Sequence, residues 1–286
     1  LQGSTIQFAS TVTGTTAASD DLTITGALNL DGAITDINDL YVSGTSDIGA
    51  NITTTGTQEY NNNVTLSGAA RTLTTSGDTV TFTGTVNGAQ DLTVDTNGTD
   101  NSSSLATVLF SSTVGDTTKV GAIIITGNLD LDGNIIKTSD SSAGATSINV
   151  SGTSNLGADV TTTGSQTYSG AVTLSANNTL TTTSNGTVSF GSTTNGAQTL
   201  AITTNGTGDV TFTDDVGESA GLNGLTISTN DFNAVDLKVG GTISITNTGT
   251  SSEITGVIAN DTDAAVFTKA GAGTLTLSGT NTHTGI

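Results

Sequence analysis

Residues 42–60 read VSGTSDIGANITTTGTQEY, and residues 150–168 read VSGTSNLGADVTTTGSQTY. The second stretch repeats the first with the numbering shifted from 42 to 150, and the differences between them keep the apolar positions apolar. A long internal period of this kind is typical of repeat architectures, in which each repeat packs only on its neighbours. The chain is therefore expected to be repetitive along its length.

The same register continues beyond these two blocks. Apolar, aromatic and Asn-Gly positions recur with the same shift in numbering: Val64 and Val172, Leu66 and Leu174, Val80 and Val188, Phe82 and Phe190, and the NGAQ segments at 87–90 and 195–198. Upstream, residues 24–34 match residues 125–135 with a smaller shift, so the second copy gains seven residues before the next match. We expect this insertion to lie in a loop.

The start of a third copy is visible from Phe8, Phe110 and Phe212, which recur at equal intervals. We therefore predict one continuous segment, residues 1–286, built of three degenerate super-repeats. Their approximate bounds are 1–101, 102–209 and 210–286, the last being partial.

Apolar residues alternate with Thr or Ser over three to five positions, as in residues 64–66 (VTL) and 275–277 (LTL). Alternation at a period of two predicts a strand with one buried face, and the β-branched Thr suits the outward face. Asn-Gly, Asp-Gly, Ser-Gly and Thr-Gly pairs separate these triplets and provide the positive φ angles of tight corners. No sustained helical spacing is present, so we expect almost no helix.

Two all-β architectures compete. A string of sandwich domains, each the size of one super-repeat, fits the long period, but it would need hairpin pairing and longer strands with aromatic cores. A parallel β-helix stacks short aliphatic strands from coil to coil. We predict the latter: an all-β, right-handed parallel β-helix (β-solenoid) forming a single elongated rod, with about five coils of ~20 residues in each super-repeat.

The composition limits the possible partners. Trp, Cys, Met and Pro are absent, 3% of residues are aromatic and 37 are Gly, so the core must be built from Val, Ile, Leu and Ala. The chain has 25 acidic residues against 5 basic ones and a net charge of −20, which predicts no binding to nucleic acid or to anionic lipid. The bases are Arg71, Lys119, Lys137, Lys238 and Lys269.

No apolar run approaches the ~18 residues that span a bilayer, the longest being residues 120–125. We therefore expect no membrane insertion of this segment. Leu1 follows no basic, apolar leader, so we expect an internal or processed fragment. The lack of Cys is compatible with folding outside the cytoplasm without disulfides.

Three kinds of functional site can be compared with the sequence: nucleophilic catalysis, glycan cleavage and calcium binding. Nucleophilic catalysis needs a proton-shuttling His, and the chain has only His283. Glycan cleavage needs paired carboxylates, but the chain offers only Tyr41, Tyr60 and Tyr168 as aromatic platforms, and the last two are equivalent repeat positions. The candidate carboxylate pairs are Asp130 with Asp132, Asp214 with Asp215, and Asp261 with Asp263.

Calcium is the third possibility. The EF-hand spacing and the Gly-rich calcium nonapeptide are both missing, so residues 129–133 (LDLDG) are more simply a strand entering an Asp-Gly turn. We predict no catalytic residue, no cofactor-binding residue and no metal ligand. Incidental calcium at Asp clusters is the one cofactor left open.

Residues 269–285, KAGAGTLTLSGTNTHTG, resemble the strand repeat associated with autotransporter passenger domains, usually K-x-G-x-G-T-L-T-L-S-G-x-N-T-Y-T-G. His283 stands where that pattern has Tyr. Residues 163–174, TGSQTYSGAVTL, resemble the degenerate repeats of filamentous haemagglutinin-like surface exoproteins. This resemblance implies a right-handed parallel β-helix, export across the outer membrane by type V secretion, and an extracellular or cell-surface location.

The resemblance does not imply an enzymatic activity, because passengers that are enzymes carry a separate catalytic domain or inserted loops. We therefore predict a structural or adhesive segment of a bacterial surface or secreted fibre, acting as a rigid stalk or filament body. The alternatives are a self-assembling filament subunit, a glycan- or host-binding adhesin and, remotely, a polysaccharide-cleaving β-helix enzyme. Expected partners are other surface proteins, glycans or the chain itself, end to end or laterally. Residues expected to carry the structural role are Val64, Leu66, Val172, Leu174, Gly88 and Gly196.

Overall fold

The structure is a computed structural model that describes residues 1–17, 19–97, 105–137 and 142–285. These residues form strands, turns and bends, with no helix among them; accordingly, this part of the chain contains no apolar helix of membrane-spanning length. Contacts divide the chain into two compact units, Leu1–Gly152 (unit 1) and Thr153–Ile286 (unit 2).

Unit 1 is built from short strands that follow one another with tight corners. They are β1 Gln2–Phe8, β2 Val12–Thr13, β3 Leu22–Leu30, β4 Ile34–Ile37, β5 Leu40–Val42, β6 Ser46–Ile48, β7 Ile52–Thr54, β8 Gln58–Tyr60, β9 Val64–Leu66, β10 Arg71–Thr74, β11 Val80–Phe82, β12 Val86–Asn87, β13 Leu92–Asp95, β14 Thr107–Phe110, β15 Val120–Thr126, β16 Asn128–Leu131, β17 Ile136–Lys137, β18 Ser142–Ala143 and β19 Ala145–Val150.

The strands of unit 1 pair in parallel with the strand one coil away and form three faces. Face 1 contains β5, β8, β11, β14 and β16, face 2 contains β6, β9 and β12, and face 3 contains β4, β7, β10, β13, β15 and β19. Strand β3 belongs to two faces: its first three residues pair with β5 on face 1, and its last three pair with β6 on face 2. The coil that leads from Ser46 to its partner Val64 is shorter than the one from Val86 to Val114, so coil length varies.

The period-two pattern of the sequence decides which residues form the core. In β9, Val64 and Leu66 are buried and Thr65 is exposed, and β5, β6, β8 and β11 show the same alternation of buried and less buried residues. Successive coils place like residues over one another because the parallel register pairs each buried residue with a buried residue below. The core is thus a set of mainly apolar columns enclosed by three faces, with a few polar members such as Ser46 and Gln58.

The long sequence repeat is not a whole number of coils. Val42 lies on face 1, but its counterpart Val150 lies on face 3. From Val42 the chain completes four coils and returns to face 1 at Tyr60, Phe82, Phe110 and Leu131 in turn. It then crosses face 2 at Ile135 and reaches face 3. The super-repeat therefore spans slightly less than the five coils expected, and equivalent sequences occupy different faces.

The seven inserted residues of the second copy fall where unit 1 departs from parallel pairing. Strands β17 and β18 form an antiparallel pair, with Ile136 opposite Ala143, between the face 2 residue Ile135 and β19 on face 3. The insertion expected in a loop therefore falls at this antiparallel pair, between faces 2 and 3.

Unit 2 contains the remaining strands: β20 Ser154–Leu156, β21 Val160–Thr162, β22 Gln166–Tyr168, β23 Val172–Leu174, β24 Asn178–Thr182, β25 Val188–Phe190, β26 Thr194–Asn195, β27 Thr199–Thr204, β28 Val210–Phe212, β29 Leu222–Thr229, β30 Phe232–Ala234, β31 Leu237–Asn247, β32 Ser252–Ile254, β33 Ile258–Asn260, β34 Val266–Ala270 and β35 Leu275–Leu277. These strands pair in parallel from coil to coil.

Unit 2 has three faces of its own, numbered here 4 to 6. Face 4 contains β20, β23, β26 and β33, face 5 contains β21, β24, β27, β29 and β34, and face 6 contains β22, β25, β28, β30, β32 and β35. The long strand β31 serves faces 4 and 5 and bends at Gly241, which has a φ of 133°.

The prediction of an all-β parallel β-solenoid is confirmed, with about 12 turns in the chain, and the sandwich alternative is wrong because the strands stack in parallel between coils. The handedness, the single rod and the three super-repeats remain predictions. The predicted boundary between residues 101 and 102 lies outside the described residues.

Candidate functional site

The interior of each unit holds a column of stacked aromatic rings. In unit 1 the centroids of Phe82 and Phe110 lie 5.0 Å apart with their planes at 6°. Tyr60 completes this column from the other side of Phe82. In unit 2 Tyr168, Phe190 and Phe212 stack in the same order, with the last two centroids 4.4 Å apart. Offset stacking at these distances stabilises aromatic pairs beyond the burial of area.

A hydrogen-bonded polar group lies beside each aromatic column. In unit 1 the hydroxyl of Tyr60 donates to Gln58 Oε1 at 3.0 Å, while Gln58 Nε2 donates to the carbonyl oxygen of Thr74 at 2.9 Å and to Thr54 Oγ1 at 3.3 Å. Gln58 and Tyr60 have no solvent-exposed area. The bonds satisfy polar atoms that would otherwise be buried unpaired.

Unit 2 repeats this arrangement at the equivalent positions of the next super-repeat. The hydroxyl of Tyr168 donates to Gln166 Oε1 at 3.3 Å, and Gln166 Nε2 donates to Thr181 O, Thr162 Oγ1 and Val160 O. The tyrosines were predicted to be structural rather than sugar platforms, and the structure places both rings in the core. Burial raises the pKa of Tyr60 and of Tyr168 above the usual value for a phenol.

The corners of the coils depend on glycine. Gly88 has a φ of 120° and Gly196 a φ of 132°, which is a backbone region that side chains disfavour. A Cβ atom at Gly88 would overlap the carbonyl oxygen of Leu66, and one at Gly196 would overlap that of Leu174. The two glycines allow the backbones of successive coils to approach closely.

Asn and Asp side chains at the corners bind the next coil. In each case Oδ1 accepts the backbone N–H of a residue one coil further on, which gives that amide a partner. We call these contacts the corner braces: Asp39 with Thr57, Asn51 with Thr72, Asn63 with Thr85, Asp91 with Ala122, Asp159 with Thr179, Asn177 with Thr199, Asn185 with Thr207, Asp209 with Asp231, Asp231 with Ser251, and Asp236 with Val257.

A related contact closes the first corner of unit 1. Asp20 accepts the backbone N–H groups of Thr16 and Thr15, at 2.8 and 2.6 Å, and the hydroxyl of Thr15 at 2.9 Å. The hydrogen bond from the Thr16 backbone, followed by those from Thr15, lowers the pKa of this exposed carboxyl. Acidic side chains thus serve the fold as hydrogen-bond acceptors in addition to forming a solvated surface.

The three candidate carboxylate pairs occupy different settings. Asp130 lies in β16, and Asp132 follows that strand in an exposed turn. Asp214 Oδ1 accepts the backbone N–H of Asp215 at 2.9 Å. The contact of Asp214 is a local one, typical of a turn rather than of an acid and base facing a common substrate.

The third pair contributes to an ion pair on unit 2. Asp261 Oδ1 lies 3.0 Å from Lys238 Nζ, and Asp263 is exposed. Lys238 also lines a cleft of about 280 Å³ with Asp215, Glu218 and Asp236 over an apolar floor that includes Val257. Spacing in the sequence gave no indication of this cleft, because its lining residues come from three successive coils.

The remaining predicted positions have plain structural roles. His283 is half-buried, with its ring centroid 6.1 Å from that of Phe267, and its backbone N–H donates to Ile258 O. Residues 129–133 are a strand end followed by a turn in which Gly133 N–H donates to Phe110 O. Within the described ranges, no three His, Cys, Asp or Glu side chains are grouped as metal ligands.

Face 5 carries a regular array of small side chains on its outer surface. Strands β24, β27, β29, β31 and β34 each contribute two outward residues, which form two ranks in register from coil to coil. We call these ten residues the hydroxyl array: Thr179, Ala201, Thr226, Ser244 and Thr268 in one rank, and Thr181, Thr203, Ser228, Thr246 and Ala270 in the other.

Parallel coils with stacked inner columns define the class of β-solenoid repeat proteins. The family model of the passenger-associated-transport-repeat matches residues 267–286. Neither the curated proteins nor the solved structures give a match to the chain. The repeat match and the β-solenoid fold together fit an autotransporter passenger repeat protein, a family whose members are secreted to the cell surface.

Proposed function

We propose that this chain is a structural segment of a surface passenger, serving as a rigid stalk or filament body without enzymatic activity. One observation supports the proposal: within each unit, successive coils bond through parallel backbone ladders on three faces and, at several corners, through the corner braces. Hydrogen bonds of this kind run along the solenoid axis, so a load on the ends is shared by many parallel bonds.

The interior supports the same role. The aromatic columns and the Gln–Tyr pairs are fully buried and offer no access to a substrate. Export across the outer membrane by a type V route is part of the proposal and rests on the passenger-associated repeat at residues 267–286.

Electron microscopy of the purified chain tests the stalk against the filament. Short, unbranched particles of uniform length would support a stalk, and long fibres whose length grows with concentration would support self-assembly. Compact, branched or flexible beads would contradict both forms of the proposal.

An adhesin that binds glycans or host proteins is the second candidate function. The outward Thr, Ser and Asn side chains favour it because they offer hydrogen-bonding groups over a wide surface. Binding to a glycan array above the level of an unrelated acidic protein would support the adhesin. Release of reducing ends from polysaccharides by the purified chain would overturn the non-enzymatic assignment.

A further inference from the structure

Six Asn-Gly pairs occur in the chain, and they begin at Asn87, Asn97, Asn185, Asn195, Asn205 and Asn223. In such a pair the backbone nitrogen of Gly is close in the chain to the side-chain carbonyl carbon of Asn. Gly has no side chain to hinder an approach of the two atoms. Because Gly98 lies outside the described residues, the comparison below concerns the other five pairs.

An Asn-Gly pair can modify itself without an enzyme. The Gly nitrogen loses its proton and bonds to Asn Cγ, the bond from Cγ to Nδ2 breaks, and ammonia leaves, so that a cyclic succinimide forms. Water then opens the ring at either of its carbonyl carbons and gives Asp or isoaspartate. Ring closure needs a Gly N–H that can lose its proton and an Asn side chain that can turn toward the main chain.

The first described pair is held at both groups. Asn87 Oδ1 accepts the backbone N–H groups of Thr117 and Thr118 at 2.8 and 3.2 Å, and Asn87 Nδ2 donates to Thr85 Oγ1 at 3.1 Å. The N–H of Gly88 donates to Thr118 O at 3.3 Å. Ring closure at Asn87 would therefore break several hydrogen bonds of the corner.

The equivalent pair of the next super-repeat is held in the same way. Asn195 Oδ1 accepts the backbone N–H groups of Ser219 and Ala220 at 2.9 and 3.3 Å. The N–H of Gly196 donates to Ala220 O at 3.1 Å. Both the nucleophilic nitrogen and the side chain that it would attack are thus engaged in the fold.

Two further pairs are restrained through the Asn side chain. Asn185 Oδ1 accepts the N–H of Thr207 at 3.1 Å as one of the corner braces. Asn223 Nδ2 donates to Ala197 O at 2.5 Å, and Gly224 lies inside strand β29. A side chain bound in this way must first release its partner before it can turn toward the main chain.

The pair formed by Asn205 and Gly206 differs from the other four. Both residues are exposed, in the corner between β27 and β28. Among the described residues, no group donates to Asn205 Oδ1, and the N–H of Gly206 has no acceptor. The side chain makes one bond, from Asn205 Nδ2 to Thr183 O, and its length of 3.4 Å exceeds the usual range.

We propose that Asn205 is a site of spontaneous deamidation, at which the folded chain acquires Asp and isoaspartate. Thr204 ends β27 and Val210 begins β28, so the change falls outside the backbone ladders. Each event adds one negative charge to a chain whose net charge is −20. It also removes the donor to Thr183 O, because a carboxylate only accepts hydrogen bonds.

Incubation at mildly alkaline pH in water enriched in heavy oxygen tests the inference, with the chain either folded in buffer or unfolded in guanidinium chloride. Mass spectrometry of proteolytic peptides then measures the new carboxyl group at each pair. In the folded chain Asn205 should react more than about tenfold faster than Asn87 and Asn195, since their hydrogen bonds of ~1 kcal/mol each must break first. In guanidinium chloride the three rates should be similar, because each Asn precedes a Gly.

Asn205→Gln is the matched control, because Gln would have to close a larger ring that forms more slowly. Its residue 205 should stay unmodified, while Asn87, Asn195 and the unfolding midpoint behave as in the wild type. Two results would overturn the inference: an Asn205 that reacts only in the unfolded chain, and folded-state rates at Asn87 and Asn195 equal to that at Asn205. Neither result bears on the stalk proposal, which electron microscopy tests.

Discussion

The ring of Phe82 stacks on the ring of Tyr60, with the centroids 5.3 Å apart and the planes within 9° of parallel. Residue 60 lies in β8 and residue 82 in β11, so this contact links two coils through the centre of unit 1. The stability of the unit depends on such contacts between coils, because the strands themselves have only two to eleven residues.

Removal of the central ring should be costly. We expect Phe82→Ala to lower the free energy of unfolding by about 3–5 kcal/mol, since it leaves a cavity between two rings. Thr81→Ala changes the neighbouring outward residue and should cost less than about 1 kcal/mol. Urea unfolding followed by circular dichroism measures both values, and equal costs for the two variants would show that the column does not form.

Gln166 and Tyr168 in unit 2 should contribute to stability in a coupled way. Gln166→Leu removes the acceptor of the Tyr168 hydroxyl and should cost about 2–3 kcal/mol, because a buried polar group is left unpaired. Adding Tyr168→Phe to Gln166→Leu should recover part of this loss, since the orphaned hydroxyl is then absent. Strict additivity in the double-mutant cycle would contradict the hydrogen bond.

The two buried tyrosines should make the fold sensitive to alkali. Their folded-state pKa values are raised by burial, so the neutral form is favoured in the folded chain. Their contribution is complete below the unfolded pKa of about 10 and is lost as the pH rises above it. We expect the free energy of unfolding to fall steeply between about pH 10 and 12, and to fall less in the Tyr60→Phe/Tyr168→Phe variant.

The corner glycines should be intolerant of a side chain. Gly88→Ala forces a positive φ on Ala and overlaps Leu66 O, so it should cost more than about 2 kcal/mol. Gly224→Ala is the matched control, because its Cβ would lie 3.5 Å from the nearest atom. Thermal unfolding of the two variants should differ by several degrees, and indistinguishable midpoints would count against the close approach of coils at Gly88.

Much of the fold could be predicted from the sequence because the inward side chains decide it. Apolar triplets such as residues 64–66, separated by glycine corners, are sufficient to indicate parallel coils. The face on which each repeat lies could not be predicted. Val42 and Val150 share a sequence context but not a face, because the number of strands between them depends on corner lengths that the period does not reveal.

The surface features were less predictable than the core. The cleft at Asp215 and Asp236 joins residues of different coils, so their proximity requires the register between coils. The same holds for the hydroxyl array, whose Thr and Ser residues look like ordinary outward strand positions until the ranks are assembled. The corner braces also require the register between coils, because their Asn and Asp residues look like ordinary turn residues in the sequence.

The parallel stacking of coils can be tested directly, because the chain has no native cysteine. Thr81 pairs with Glu59 on the coil before it and with Leu109 on the coil after it. Oxidation of the Glu59→Cys/Thr81→Cys variant should give an intramolecular disulfide, since adjacent strands lie about 4.8 Å apart. The Glu59→Cys/Leu109→Cys variant, two coils apart, should give none, and a disulfide in this variant with none in the first would contradict the stacked coils.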